Sequence, residues 1–244
     1  MHGLFVQRNS WNHPKIIAHR GACALEPENS LPAFEAAGRL GVWAIETDVH
    51  MTADRELVCF HNKKVDGLTT GQGAIADMKL AELRKLHITA GSNVGAHTPD
   101  ELRIPTFLEY LLVCRRYGSV AFVELKTDIV GEALYLVRRM GLEEYCVFSS
   151  VKLEHLEEAR ARSDKVFVHH IFSNEENIPR LVGLGYAGMS FKISDLDDVP
   201  EGLVERVHEA GLRVCFRAAD TPEIMRRAID MGVDYVPTNC VYRL

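Results

Sequence analysis

Seven residues of this chain have types and spacings suited to acid–base and metal chemistry: His19, Arg20, Glu46, Asp48, His61, Glu124 and Lys126. Glu46 and Asp48 stand two apart, as do Glu124 and Lys126, so within a strand both members of each pair share one face. Three carboxylates gathered in one place repel one another unless something positive lies between them. A hard divalent cation, Mg2+ or Ca2+, accepts such an all-oxygen set. Ion pairing to Arg20 and Lys126, with no metal, is the alternative. Two histidines supply a general acid and a general base. Arg20 and Lys126 suit an anionic group such as phosphate. Taken singly, each residue has an ordinary structural explanation, but seven of them at strand ends do not.

The elements that position them alternate. Short apolar, β-branched runs are read as strands at 15–19, 42–49, 56–61, 119–126, 145–150, 165–171, 187–191, 212–216 and 234–238. Segments of helical period fall at 31–40, 106–117, 129–140, 152–162, 175–184, 200–210 and 221–231, and many stop at a glycine suited to a left-handed cap: Gly41, Gly118, Gly141, Gly211 and Gly232. This alternation predicts an α/β fold with a parallel sheet, and nine strand segments in one domain favour a TIM (β/α)8 barrel. The seven residues then sit at the C-terminal ends of strands, where barrels place their catalytic groups.

One connection breaks the pattern. Between Val49 and Glu56 lies only "HMTADR", too short for a crossover helix, so a hairpin turning at Asp54-Arg55 is expected. A two-residue turn would set His61 beside Asp48. Residues 62–103 read as a small insertion after the third strand, with one amphipathic helix at "KLAELRKLHI", placed to cover the active-site face. The expected organisation is one barrel domain over 1–244.

Composition is that of an ordinary globular protein, 47% hydrophobic and 25% charged. A net charge of −6 without a run of basic residues argues against nucleic acid or stable membrane association. The six cysteines are scattered, with no C-x-x-C pair, and read as buried thiols in a reducing compartment. The N-terminal "MHGLFVQRNSWNHPK" is too polar for a signal segment, so a cytoplasmic protein is expected, with room for a homodimer. Among weaker candidates, one of His169-His170 and Lys192 face a barrel interior. His87 and His97 read as solvated, and "TTGQG" as a simple turn.

"HRG" followed by "PENS", then "IETDVHMTADRELVCFHN" and "VELK", resembles the glycerophosphodiester phosphodiesterase family. Its pattern is His-Arg-Gly, Pro-Glu-Asn-Thr, Glu-x-Asp, His-Asp and Glu-x-Lys. The resemblance implies a TIM barrel and hydrolysis of a small-molecule glycerophosphodiester to an alcohol and sn-glycerol 3-phosphate. It also implies that Glu46, Asp48 and Glu124 hold one divalent metal and that His19 and His61 are the acid/base pair. Arg20 and Lys126 then contact the phosphate, and Glu28 and Asn29 support the site. The attacking oxygen is either the glycerol 2-hydroxyl or water. Departures are His61-Asn62 for His-Asp, Ser30 for the threonine, Phe216–Ala219 for Trp-Thr-Val-Asn, and Thr238-Asn239 for a terminal Thr-Asp. Phe216 and Arg217 are then expected at the substrate wall. A related phosphodiesterase for another head group or a lysophospholipid is the alternative.

Overall fold

The structure, a computed structural model, describes residues 15–191, 195–216 and 218–241. Lys192 and Arg217 lie outside the described residues, as does the polar segment up to residue 14. The chain begins with β1 (Lys15–Ala18), α1 (Leu31–Arg39), β2 (Ala44–Met51) and β3 (Leu57–Cys59). After α2 (Leu80–Leu83) come α3 (Phe107–Tyr117), β4 (Val120–Leu125), α4 (Val130–Arg139), β5 (Cys146–Ser150) and α5 (Leu153–Arg162). The rest is β6 (Phe167–Ser173), α6 (Ile178–Leu184), β7 (Ala187–Phe191), α7 (Leu203–Glu209), β8 (Arg213–Cys215), α8 (Pro222–Asp230) and β9 (Tyr235–Thr238).

Eight strands run parallel in the order β8-β7-β6-β5-β4-β2-β1-β9, with β3 antiparallel on β2. This is the expected TIM barrel, nearly closed. At the seam between β8 and β9 the Asp234 amide donates to the Val214 carbonyl, at 2.9 Å. The Asp234 carboxylate accepts from the Val214 amide at 2.8 Å and from Arg213 at 3.0 Å, so a side chain satisfies what a ladder would otherwise pair.

Period-2 alternation sorts the strand residues into two layers. Ile45, Val49, Ala121, Val123, Phe148 and Val168 face outward into the main core under the helices. Ile17, Ala44, Val120, Phe122, Val147, Phe167 and Tyr235 form a second cluster inside the barrel, where Trp43 stacks on Tyr235. The inward register that is apolar at the barrel floor turns polar at its C-terminal rim: Ile17 leads to His19, Ala44 to Glu46 and Asp48, Phe122 to Glu124. The floor excludes water, so the acids at the rim are reached from one side only.

Helix ends follow the sequence signals. Ser30 caps α1, and Thr106 with Glu109 makes a reciprocal capping box on α3. Thr221 caps α8 ahead of Pro222, and the five glycines expected as left-handed caps all have positive φ.

The β2–β3 hairpin differs from expectation by one residue. Its loop is Ala53-Asp54-Arg55, closed by the Thr52 amide on the Glu56 carbonyl, with Arg55 in the left-handed region at φ 63°. Val49 therefore pairs with Cys59, and Phe60 rather than His61 lies opposite Asp48. His61 follows one residue beyond.

The 62–103 insertion after β3 has a small core of its own, in which Val65, Ile75 and Leu83 join Val58, Phe60 and Ile104. The expected helix shrinks to the single turn of α2. Leu86 packs against that core, and Ile88 bridges Thr69 in extended backbone. The insertion leans on the β1–α1 loop: Ser92 Oγ donates to the Cys23 carbonyl at 3.0 Å, and His97 pairs with Glu26 at 2.6 Å. His97 is thus docked rather than solvated.

Candidate active site

The first loop carries the densest chemistry. Arg20, Gly21 and Asn29 all have positive φ (56°, 82° and 51°). Gly21 is required there, because a Cβ would come within 2.8 Å of the Ala33 backbone on α1. The turn aims the Arg20 backbone amide at Glu46, which accepts it at 2.7 Å. The Arg20 guanidinium forks onto both oxygens of Glu28, at 3.1 and 2.9 Å, and its Nε lies 3.7 Å from Asp48. Asn29 donates through Nδ2 to Asp48 at 2.9 Å, while its Oδ1 accepts the Thr47 hydroxyl at 2.7 Å. Glu28 thus holds Arg20, and Asn29 holds Asp48.

Glu46, Asp48 and Glu124 come together with one oxygen of each within 4.8 Å of the others. Lys126 bonds Glu124 at 2.9 Å and Asp48 at 3.2 Å. Asp48 is 1% and Glu46 6% exposed, a depth at which unpaired charge is costly. Burial, then the charges of Asp48 and Glu124, push the Glu46 carboxyl well above the ordinary carboxylate range. Burial also opposes charge on Asp48, but Lys126, His61, the Asn29 amide and Arg20 outweigh it and hold its pKa below the usual value. Glu124 is raised by burial and by Asp48, with Lys126 offsetting part of that. Arg20 and Lys126 therefore do not neutralise the whole set. The unmet demand is for positive charge among hard oxygen donors. Oxygen separations of this size suit ligands about 2.1–2.5 Å from a common Mg2+ or Ca2+ ion.

The histidines flank the carboxylates. His19 Nε2 is 4.0 Å from Glu46, and its Nδ1 meets Asn239 Oδ1 at 2.8 Å. Burial lowers the His19 pKa below the ordinary histidine value, against the pull of the Asn239 hydrogen bond. His61 Nδ1 meets Asn62 Oδ1 at 2.9 Å, and its backbone carbonyl is held by buried His50 at 3.3 Å. Both imidazoles thus rest Nδ1 on a side-chain amide.

The sequence profile of the Glycerophosphoryl diester phosphodiesterase family matches residues 19–242. The chain belongs to that family. A glycerophosphodiester phosphodiesterase of Caldanaerobacter subterraneus subsp. tengcongensis is 30% identical over 230 residues, covering 92% of this chain and 93% of the relative. An Oleispira antarctica phosphodiesterase, solved in complex with the product sn-glycerol-3-phosphate, superposes with TM-score 0.78 at 28% identity, covering 93% of each chain. A putative glycerophosphoryl diester phosphodiesterase of Silicibacter pomeroyi gives TM-score 0.78 at 26% identity over 93% of this chain and 90% of its own. Phosphodiester-cleaving enzymes of this family generally use a divalent metal, and the carboxylate cluster is in place for one.

Not every expected site residue joins this family's mouth. Phe216, expected at the substrate wall, is 3% exposed and packs in the outer core beneath the helices, because its neighbour Cys215 takes the inward position. Of the weaker candidates, His169 is buried among the floor aromatics on the Tyr235 hydroxyl, and His170 bonds Ser173 and the Val151 carbonyl. Asp220 went unnoticed in the sequence: it binds Asn239 from a loop with no helical or strand period. His50 and Thr47 were also unmarked, because neither belongs to the Glu46/Asp48 pair on the same strand. Among the described residues no helix is long and apolar enough to cross a membrane.

Proposed function

We propose that this chain hydrolyses a glycerophosphodiester to an alcohol and sn-glycerol 3-phosphate, with one Mg2+ or Ca2+ ion held by Glu46, Asp48 and Glu124. The observation that carries this reading is the buried three-carboxylate set whose charge two cations leave incompletely balanced. When bound, the ion supplies Lewis-acid charge to a nonbridging phosphate oxygen. Lys126 and Arg20, fixed by Glu124, Asp48 and Glu28, line the same anionic site and stabilise charge that builds on phosphorus-bound oxygen. One imidazole takes the proton from the attacking oxygen, and the other gives a proton to the departing alkoxide, a poor leaving group without it. Nδ1 of each ring is occupied, so Nε2 is the working atom of both.

A second reading concerns the glycerol side of the substrate. Leu25, Val151 and Phe172 are exposed apolar side chains in or beside the loops that follow β1, β5 and β6, at the rim where substrate enters. Phe172 is held at φ 53°, an uncommon conformation for an aromatic residue. An apolar rim suits a substrate whose glycerol carries an acyl chain, as in a lysophospholipid, from which cleavage on the head-group side releases lysophosphatidic acid.

The test is a substrate panel of glycerophosphocholine, glycerophosphoethanolamine, glycerophosphoglycerol and lysophosphatidylcholine. It is run with Mg2+, Ca2+, Mn2+ or a chelator, and glycerol 3-phosphate and lysophosphatidic acid are measured. Release of glycerol 3-phosphate that chelation abolishes supports the first reading, and turnover of the lysophospholipid alone supports the second. Full activity in chelator, or in His19→Ala, would overturn the metal or histidine assignment respectively.

A further inference from the structure

The Asn239 side chain is bonded at both ends. Its Oδ1 meets His19 Nδ1 at 2.8 Å, and its Nδ2 donates to Asp220 Oδ2 at 2.7 Å. Asp220 Oδ1 also accepts the Asn239 backbone amide at 2.7 Å, clamping the residue from two sides. A carboxylate offers only acceptors, so the amide must turn its NH2 to Asp220 and its oxygen to His19. An amide oxygen offers only acceptors in turn, so a neutral His19 must carry its proton on Nδ1. The free lone pair is then on Nε2, the atom facing Glu46 at 4.0 Å. Cys23 Sγ lies 3.4 Å from the same Asn239 oxygen and adds a weak donor to it. His61 has a matching partner in Asn62, but that contact is exposed, and among the described residues no hydrogen bond from another side chain fixes the Asn62 amide.

We infer that Asp220 and Asn239 act as one positioning unit for the catalytic reaction, in which Asp220 orients the Asn239 amide and Asn239 sets the tautomer and ring angle of His19. The inference rests on the reading of His19 as an acid/base residue. It also accounts for an asparagine at a position where the family pattern has aspartate. An aspartate at that position needs a donor opposite it, whereas here an aspartate stands opposite and asparagine is the complement. The pair should therefore be exchangeable only as a unit. In the double variant Asp220→Asn/Asn239→Asp, the amide introduced at position 220 donates to the carboxylate introduced at position 239, and that carboxylate still accepts from His19 Nδ1.

The test compares Asn239→Ala, Asn239→Asp and the double exchange in the metal-loaded full chain, using glycerophosphoglycerol and, for the ring, 15N NMR of labelled histidine. Both single variants are expected to lose about 10- to 100-fold in kcat with KM little changed, the size usual for a partner that orients a working ligand or base. Asn239→Asp fails because two carboxylates face each other. The double exchange is expected to recover most of kcat. In the parent enzyme the His19 spectrum is expected to report the Nδ1–H tautomer, and in Asn239→Ala a mixture of tautomers. An Nε2–H tautomer in the parent, unchanged kcat in Asn239→Ala, or a double exchange no better than Asn239→Asp would each overturn the inference. Should Asn239→Ala fail to fold, the double exchange and the parent spectrum still decide. Full activity in His19→Ala would instead remove the catalytic reading and leave the tautomer result standing by itself.

Discussion

Asn29 offers the sharpest test of how the carboxylate set is held. It is buried in the left-handed region at φ 51°, donates to Asp48, and accepts from Thr47. Replacing it by alanine breaks a hydrogen bond to a buried charged group, worth about 1.5–3 kcal/mol, and strips the acceptor from a buried hydroxyl, about 1–3 kcal/mol. It also places at positive φ a residue with no polar side chain to compensate, costing about 1–2 kcal/mol. The expected loss is about 4 kcal/mol or more, a large share of the roughly 5–15 kcal/mol typical of a domain. Asn29→Gly breaks the same two bonds but tolerates the backbone, so it should be the more stable variant by about 1 kcal/mol. Urea unfolding of parent, Ala and Gly variants in chelator measures both quantities, and isothermal titration with Mg2+ or Ca2+ should show weaker binding in both. A total loss below about 1 kcal/mol would show that the amide does not hold Asp48. An alanine variant as stable as the glycine one would show that the backbone conformation is not what constrains this position.

Three further outcomes are expected. Burial, with His170 adding to it, holds the His169 pKa down at about 3, so folding binds no proton there while the unfolded chain does from about pH 6.5 downward. Its contribution is intact above that pH and is lost on acidification, amounting to about 2 kcal/mol between about pH 7.5 and 5.0. Urea unfolding at the two pH values should show this acid sensitivity reduced by that amount in His169→Gln. Gly21→Ala should destabilise by more than about 3 kcal/mol and displace the first loop, since it combines positive φ with a clash against α1 that cannot yield cheaply. Differential scanning calorimetry and kcat should fall together. Mg2+ or Ca2+ at about a hundred times its Kd should stabilise the parent by about 2.7 kcal/mol in a thermal melt, and Glu124→Gln should lose most of that shift.

Much of the barrel was legible because both its periods are local. Alternation along 44–48 and 120–124 is enough to put Glu46, Asp48 and Glu124 on one wall. Glycine after a helical run is enough to end it. What could not be read depends on partners distant in sequence. The hairpin register turned on whether Arg55 takes positive φ, a choice its residue type does not announce. The helix expected after Met78 lost its second half because Leu86 packs against the insertion's own core while Ile88 bridges Thr69 in extended backbone. Phe216 looked like a wall by analogy with an aromatic position, but inward or outward placement in β8 is set by the phase of the strand. Asp220 had no visible purpose until Asn239 was beside it.

The first barrel strand has the last one as its neighbour. Lys15–Ala18 pairs with Tyr235–Thr238, the His19 amide continues that ladder onto the Thr238 carbonyl, and His19 and Asn239 are 220 positions apart. Biosynthesis therefore reads this site in a particular order. The ribosome makes the acids, the cations and both histidines early in the chain, all by Lys126. Yet a nascent polypeptide stopped anywhere before β9 presents a histidine with no amide beneath it and an unpaired strand edge. Competence arrives with ring closure rather than with synthesis of the reactive groups. A partly made chain can hold every member of the reactive set and still have His19 without its support.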